Sequence, residues 1–94
     1  EKMYSALVAC RTGMGSSMML KIKVEQVIRE NGWNITVDHN EVSAVQYFNG
    51  DLLITMEDLA DEITNKPFAV IGIKDLMNKD EIKEKLQKFL DSKQ

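Results

Sequence analysis

Short apolar runs alternate along this chain with stretches in which apolar residues recur every three or four positions. The first run, Tyr4–Cys10, has an uninterrupted apolar centre, which is typical of a strand buried on both faces. The next stretch predicts a helix, because its apolar residues fall on one helical face. These residues are Leu20, Val24, Val27 and Ile28. Asn31 and Gly32 then predict the end of that helix.

Three further strand and helix pairs follow. Residues 33–38, 52–55 and 68–73 predict strands, since they are short apolar or β-branched segments bounded by turn residues. A short helix is expected around Val45, and another after Thr55, whose hydroxyl we expect to cap it. The final helix has an apolar stripe with a charged opposite face. This stripe consists of Ile82, Leu86, Phe89 and Leu90.

The order βαβαβαβα predicts a single α/β domain over residues 1–94. Strands that alternate with helices form right-handed crossovers onto a parallel sheet. We therefore expect a small doubly wound, four-stranded parallel sheet with helices on both faces, a three-layer flavodoxin-like or Rossmann-like sandwich. In such folds ligands bind beyond the carboxyl ends of the strands, where the winding reverses. The turn after Cys10 lies at this carboxyl end of the sheet.

Composition and charge exclude several classes of function. The 94 residues are 44% hydrophobic and 29% charged, an ordinary globular composition, and the formal net charge is −3. A chain of this charge lacks the broad basic surface expected for nucleic-acid binding. No apolar run approaches the roughly 20 residues that span a bilayer, so we expect a cytoplasmic protein. One cysteine and one histidine make neither an internal disulfide nor a zinc cluster, and we expect no metal.

The segment after the first strand has the composition of an anion-binding loop that carries its own nucleophile. Its candidate residues are Cys10, Arg11, Thr12, Gly13, Met14, Gly15, Ser16 and Ser17. Glycines permit close approach of the main chain, so that successive amide groups converge on an oxyanion at the start of the helix. The hydroxyl groups of Thr12, Ser16 and Ser17 add donors.

A thiol at this position is expected to ionise readily. Helix N-termini lower the pKa of cysteine from about 8.5 into a range of roughly 3.5 to 7.5. Donors that stabilise the thiolate of Cys10 also stabilise a phosphoryl group attached to it, which suits in-line phosphoryl transfer. The alternative is an inert, buried cysteine at the end of a strand.

The segment does not match three other types of phosphate-binding loop. A Walker A loop requires a Gly-Lys pair, and the chain has none. A dinucleotide fingerprint would run from Gly13 with Asp38 as its ribose acid, but Met18 stands where the third glycine belongs. A Cys-x5-Arg phosphatase would need arginine at the position of Ser16. The segment therefore fits a phosphoryl carrier better than a hydrolase.

With these residues the chain resembles the enzyme IIB components of the bacterial sugar phosphotransferase system (PTS), most closely the ascorbate-specific type, related to the galactitol and lactose types. The core of the resemblance is Cys-x-x-Gly-Met-Gly-Ser-Ser at positions 10–17. It extends to Met18 and to residues 21–25, 51–55 and 76–83, and so covers nearly the whole length.

The resemblance implies a phosphotransferase component of sugar transport. Cys10 would accept a phosphoryl group from a phosphohistidine of enzyme IIA and pass it, as in a kinase reaction, to a sugar held by the membrane component IIC. The implied location is cytoplasmic, with transient association at the inner face of the membrane, and no cofactor is implied. Two alternatives stay open: a regulatory IIB-like domain in which phosphocysteine changes an interface, and a small cysteine phosphatase.

Residues beyond the loop are candidates for partner contacts. Met18 and Ile22 lie off the core stripe of the first helix and, with Met14, are expected either to form an apolar docking patch or to pack on neighbouring segments. His39 follows the second predicted strand, in a polar run that we expect to be a solvated turn.

Overall fold

The computed structural model describes residues 3–10, 14–63 and 65–93, and for residues 10 and 14–17 its description is of the main chain. Its strands are β1 (Tyr4–Cys10), β2 (Ile35–Glu41), β3 (Leu52–Met56) and β4 (Ala69–Ile73). Its helices are α1 (Met14–Asn31), α2 (Glu57–Ala60) and α3 (Lys79–Ser92), with a 3₁₀ helix, η1 (Val42–Tyr47), between β2 and β3. The predicted alternation of strands and helices is confirmed.

All four strands form one parallel sheet in the order β2-β1-β3-β4. The chain first winds from β1 outward to β2, then crosses back over β1 to β3 and continues to β4. The winding therefore reverses between β1 and β3, the two central strands. This is the predicted doubly wound arrangement, in which the reversal creates a crevice at the carboxyl ends of the strands.

The sheet separates two apolar layers, as the alternation of side chains along each strand requires. One layer packs against α1 and α3, and its members include Val8, Leu20, Val24, Ile54, Ile82 and Leu86. The other layer lies under η1 and the segment after α2, and its members include Leu7, Ala9, Val45, Leu53 and Phe68. Because both faces are covered, the central strands read as continuous apolar runs.

The predicted stripes of the long helices are buried. Leu20, Val24, Val27 and Ile28 of α1 are all in the core, as are Ile82, Leu86 and Phe89 of α3, while Leu90 is partly buried against it. Gly32 follows α1 with φ +66°, a left-handed conformation that glycine adopts without a steric penalty. The predicted helix end is therefore confirmed.

The prediction for the second strand was wrong at both of its ends. The strand begins at Ile35 and continues through the polar residues 38–41, which pair with residues 7–10 of β1. His39 is thus a half-buried residue within β2, opposite Val8, and does not lie in a solvated turn. The physical reason is that β2 is an edge strand, so main-chain pairing with β1 holds it while its side chains remain partly in solvent.

The predicted cap at Thr55 was also wrong. The residue at the N-cap position of α2 is Met56, and no side chain caps this helix. Thr55 instead lies within β3, where its side chain is fully buried. Because α2 is a single turn long, its start is fixed by the strand that precedes it more than by a cap.

Candidate active site

Cys10 is the last residue of β1, at the carboxyl end of a strand that has a neighbour on each side. On one side its register partner is Glu41, the last residue of β2. On the other side lies β3, across the point at which the winding reverses. The strand order thus places the predicted nucleophile at the carboxyl end of the sheet, where doubly wound sheets bind ligands.

The ladder between the two central strands stops before either strand ends. Between β1 and β3 the ladder contains three register pairs and stops at Val8 and Ile54. In contrast, the ladder with β2 runs on to Cys10, and the ladder between β3 and β4 runs on to Met56. The register between the two central strands therefore stops two residues before Cys10, at the carboxyl end of the sheet.

The first helix begins earlier than the sequence analysis predicted. Residues 14–17 were assigned to the loop, but their main chain forms the first turn of α1. The amide groups of a first turn have no acceptor within the helix, and they carry the positive end of the helix dipole. The amide groups of a helix start thus begin four residues after Cys10 along the chain.

The remaining loop predictions lie outside the described residues. These are the phosphate-binding roles of Arg11, Thr12 and Gly13, and those of the side chains of Met14, Ser16 and Ser17. They stay predictions, as do the phosphate-binding role of Gly15 and the role of Cys10 as nucleophile.

An exposed apolar patch lies on the amino-terminal half of α1. Met18 and Ile22 are each 41% exposed, as expected from their position off the core stripe. Met19 is 42% exposed and was not among the predicted patch residues. Its position outside the core stripe of α1 was enough to predict this exposure from the sequence. We call Met18, Met19 and Ile22 the α1 patch.

The loop after β4 also lies at the carboxyl end of the sheet, and it is held by hydrogen bonds to Glu81. The carboxylate of Glu81 accepts hydrogen bonds from the amides of Lys74 at 2.8 Å and Asp75 at 3.1 Å, and it pairs with Lys85 at 2.9 Å. Burial by itself would raise the pKa of Glu81, but these donors outweigh burial and bring the pKa below its usual value. Asn78 caps the same helix by accepting from the amide of Glu81.

The described residues contain no group of three or more His, Cys, Asp or Glu side chains placed to hold a metal ion. Within the same residues no helix is both long enough and apolar enough to cross a membrane.

Comparison with known proteins assigns the family. Residues 5–88 match the family model described as "PTS system, Lactose/Cellobiose specific IIB subunit". The chain belongs to this family of PTS IIB components. IIB components take part in sugar phosphotransfer and work with IIA and IIC partners, so the resemblance found in the sequence is confirmed at this level.

Several PTS proteins are similar to this IIB chain. The "Ascorbate-specific PTS system EIIB component" of Mycoplasma pneumoniae is 33% identical over 93 residues, covering 96% of this chain and 98% of that protein. The protein of the same name from Shigella dysenteriae serotype 1 is 30% identical over 89 residues, covering 89% and 86%. The "PTS system mannitol-specific EIICB component" of Streptococcus mutans is 30% identical over 66 residues, covering 70% of this chain but 11% of that longer protein.

A solved structure supports the fold of the IIB chain. The lactose-specific IIB component domain from Streptococcus pneumoniae superimposes with a TM-score of 0.61, covering 99% of this chain and 100% of that one. Sequence identity is 16%, so this likeness supports the architecture alone.

Proposed function

We propose that this IIB chain carries a phosphoryl group on the sulfur of Cys10. In the first step the thiolate attacks the phosphorus of a phosphohistidine on IIA; the S–P bond forms, the P–N bond breaks, and the imidazole nitrogen takes up a proton. In the second step a hydroxyl oxygen of the sugar held by IIC attacks the same phosphorus. The O–P bond forms, the S–P bond breaks, the thiolate is regenerated, and the hydroxyl proton passes to water.

The position of Cys10 carries this proposal. It ends β1 at the point where the winding of the sheet reverses, and the first turn of α1 begins four residues later. Phosphoryl transfer depends mainly on positioning and on stabilisation of oxyanion charge, which main-chain amides at a helix start provide. The proposed cradle consists of the amides of residues 11–17 with the hydroxyl groups of Thr12, Ser16 and Ser17, while Arg11 offsets the charge.

Ascorbate is the sugar that we assign to this system. The support comes from two relatives of at least 30% identity that are named as ascorbate-specific IIB components and are covered over most of their length. The family description names lactose and cellobiose, so these sugars, with galactitol, are the appropriate comparisons in a transport assay. Specificity would reside mainly in IIC, which holds the sugar.

Residues 1–94 act as one phosphoryl-carrier domain in this proposal, in the cytoplasm and transiently bound to IIC at the inner face of the membrane. The α1 patch, together with Met14, would contact the partners. Apolar side chains that remain about 40% exposed on the helix that follows the proposed nucleophile suit partners that must bind and release in each cycle.

The test is a reconstituted phosphotransfer. Phosphorylated IIA, this chain and vesicles that contain the cognate IIC are mixed with radiolabelled ascorbate, and in parallel with lactose, cellobiose or galactitol. We expect ascorbate phosphate to form when all three proteins are present and to be abolished by Cys10→Ser. Ascorbate phosphate formed without this chain, or equally with Cys10→Ser, would contradict the proposal. Turnover of an aryl phosphate by the chain alone would support the phosphatase alternative instead.

A further inference from the structure

The two outer strands of the sheet differ in the charge that they carry. β2 and β4 are the edge strands, so each has main-chain groups without a neighbouring strand. β2 contains Asp38 and Glu41, and charged side chains discourage an edge strand from pairing with another chain. Residues 68–73, which include β4, contain neither a charged residue nor a proline. Apolar segments of this kind at a sheet edge pair readily with other strands.

The outer edge of β4 is formed by alternate residues of the strand. The amide of Ala69 donates to the carbonyl of Asp51 at 3.1 Å, so the main chain of Ala69 faces the side of β3. Successive residues of a strand direct their main-chain groups to opposite sides, so those of Val70 and Gly72 face away from the sheet. A groove of about 390 Å³ lies against this strand. The residues of α3 that line it are Lys85, Lys88, Phe89 and Ser92.

Two residues of α3 bind the carboxyl end of this outer edge. The ammonium group of Lys85 donates to the carbonyl of Gly72, and the carboxylate of Glu81 accepts from the amide of Lys74 at 2.8 Å. Glu81 and Lys85 also pair with each other at 2.9 Å, one helical turn apart. The pair thus gives the strand one donor and one acceptor, as a neighbouring strand would.

The rest of the outer edge is open. Among the residues that the structure describes, none bonds to the outward amide or carbonyl of Val70. If the carbonyl of Gly72 were also free, Val70 of one copy of the chain would pair with Gly72 of a second copy, and the reverse, about a two-fold axis at Ile71. Such a contact is self-complementary and closes as a dimer. A second copy of this chain is therefore the partner that the edge fits.

We propose that Lys85, held in place by Glu81, keeps this chain monomeric by occupying the outer edge of β4. Its bond to Gly72 takes the acceptor that edge-to-edge pairing requires. Its positive charge would also meet the same charge of the second copy, and like charges across a strand pair oppose pairing. This edge does not include Cys10, so the inference does not depend on phosphoryl transfer.

The experiment compares two lysines that line the same groove. Lys85→Met removes the donor to Gly72 and keeps an unbranched side chain that favours a helix. Lys88→Met is the matched control, since it changes the charge of the groove equally, but Lys88 pairs with Glu84 at 3.6 Å and not with the strand. Lys85→Ala and Lys88→Ala repeat the comparison without added apolar length. Lys85→Arg retains a cationic donor.

Three measurements are made on each variant and on the wild type. Sedimentation velocity gives the mass between about 10 µM and about 1 mM, under reducing conditions so that Cys10 cannot link two copies. Hydrogen exchange is followed by mass spectrometry in peptides that contain residues 68–73. Denaturant unfolding shows whether each variant is folded.

We expect Lys85→Met and Lys85→Ala to form dimers in this range of concentration, while the wild type, Lys85→Arg and both Lys88 variants stay monomeric. In the dimers, exchange in residues 68–73 should be at least about tenfold slower than in the matching Lys88 variant. Monomeric Lys85 variants, equal dimerisation of the Lys88 variants, or dimers with unchanged exchange in residues 68–73 would overturn the inference. Failure of both Lys85 variants to fold would overturn it as well, because Lys85 would then be needed for the fold itself.

Discussion

Gly72 of β4 lies directly against the main chain of Glu57, the first residue of α2. A Cβ atom at position 72 would be 2.9 Å from Cα of Glu57 and 2.9 Å from Cβ of Ala60. Real Cβ atoms essentially never approach other atoms so closely, and the neighbour here is backbone, which cannot rotate away. Gly72 therefore sets the distance at which α2 packs on the sheet, directly after the end of β3.

Gly72→Ala is expected to destabilise the protein by about 1–3 kcal/mol, since α2 must shift to accommodate the methyl group. Denaturant unfolding measures the change. The matched test is the double variant with Ala60→Gly, which removes one of the two close contacts. The double variant should be more stable than the sum of the single changes implies. If the two changes in the free energy of unfolding add strictly, the close contact between α2 and position 72 does not contribute to stability.

Glu81 gives the protein a pH-dependent contribution to stability. Its pKa is lowered in the folded state, since donors from Lys74, Asp75 and Lys85 outweigh the effect of burial. A lowered folded pKa stabilises the fold above the unfolded pKa of about 4.3, and this stability is lost as pH falls through the folded value. We expect Glu81→Gln to cost about 1 kcal/mol at pH 7, with the difference from the wild type shrinking below about pH 4.

The control for that experiment is Glu84→Gln in the same helix. Glu84 pairs with Lys88 at 3.6 Å, but both side chains are about three-quarters exposed, so the pair contributes little. Its removal should leave the free energy of unfolding within about 0.5 kcal/mol of the wild type at any pH. A Glu81→Gln variant with the same acid sensitivity as the wild type would contradict the role assigned to Glu81.

The α1 patch is expected to affect partner binding without affecting the fold. Met18→Gln with Ile22→Gln replaces two side chains that are each 41% exposed by a good helix former. We expect KM for phosphorylated IIA to rise about tenfold, while the free energy of unfolding changes by less than about 1 kcal/mol. Tyr47→Gln, at an 81% exposed site on η1, serves as the control and should leave KM unchanged. If the double variant and the Tyr47→Gln control have the same KM, the α1 patch does not contribute to the docking surface.

The long helices and the central strands were predictable from the sequence because burial imposes a period on the helices and a continuous apolar run on the strands. The stripe from Leu20 to Ile28 and the apolar run of β1 each have a single physical interpretation, and both are confirmed. Their alternation along the chain then gave the parallel, doubly wound sheet.

Other features lacked a local signal. Residues 38–41 of β2 are polar because the strand lies at the edge of the sheet, and a polar run of this kind is typical of turns as well. Thr55 has the sequence context of a helix cap, and only its neighbours in space show that it is buried. The two ladders of β1 end at different residues, Val8 on one side and Cys10 on the other, which no spacing in the sequence encodes.

The central claim is that Cys10 holds the phosphoryl group, and tandem mass spectrometry of the chain after incubation with phosphorylated IIA tests it most directly. The account predicts a gain of one phosphoryl group, located on Cys10 and absent from Cys10→Ser. A phosphoryl group found on His39, the one histidine of the chain, or retained in full by Cys10→Ser, would contradict it.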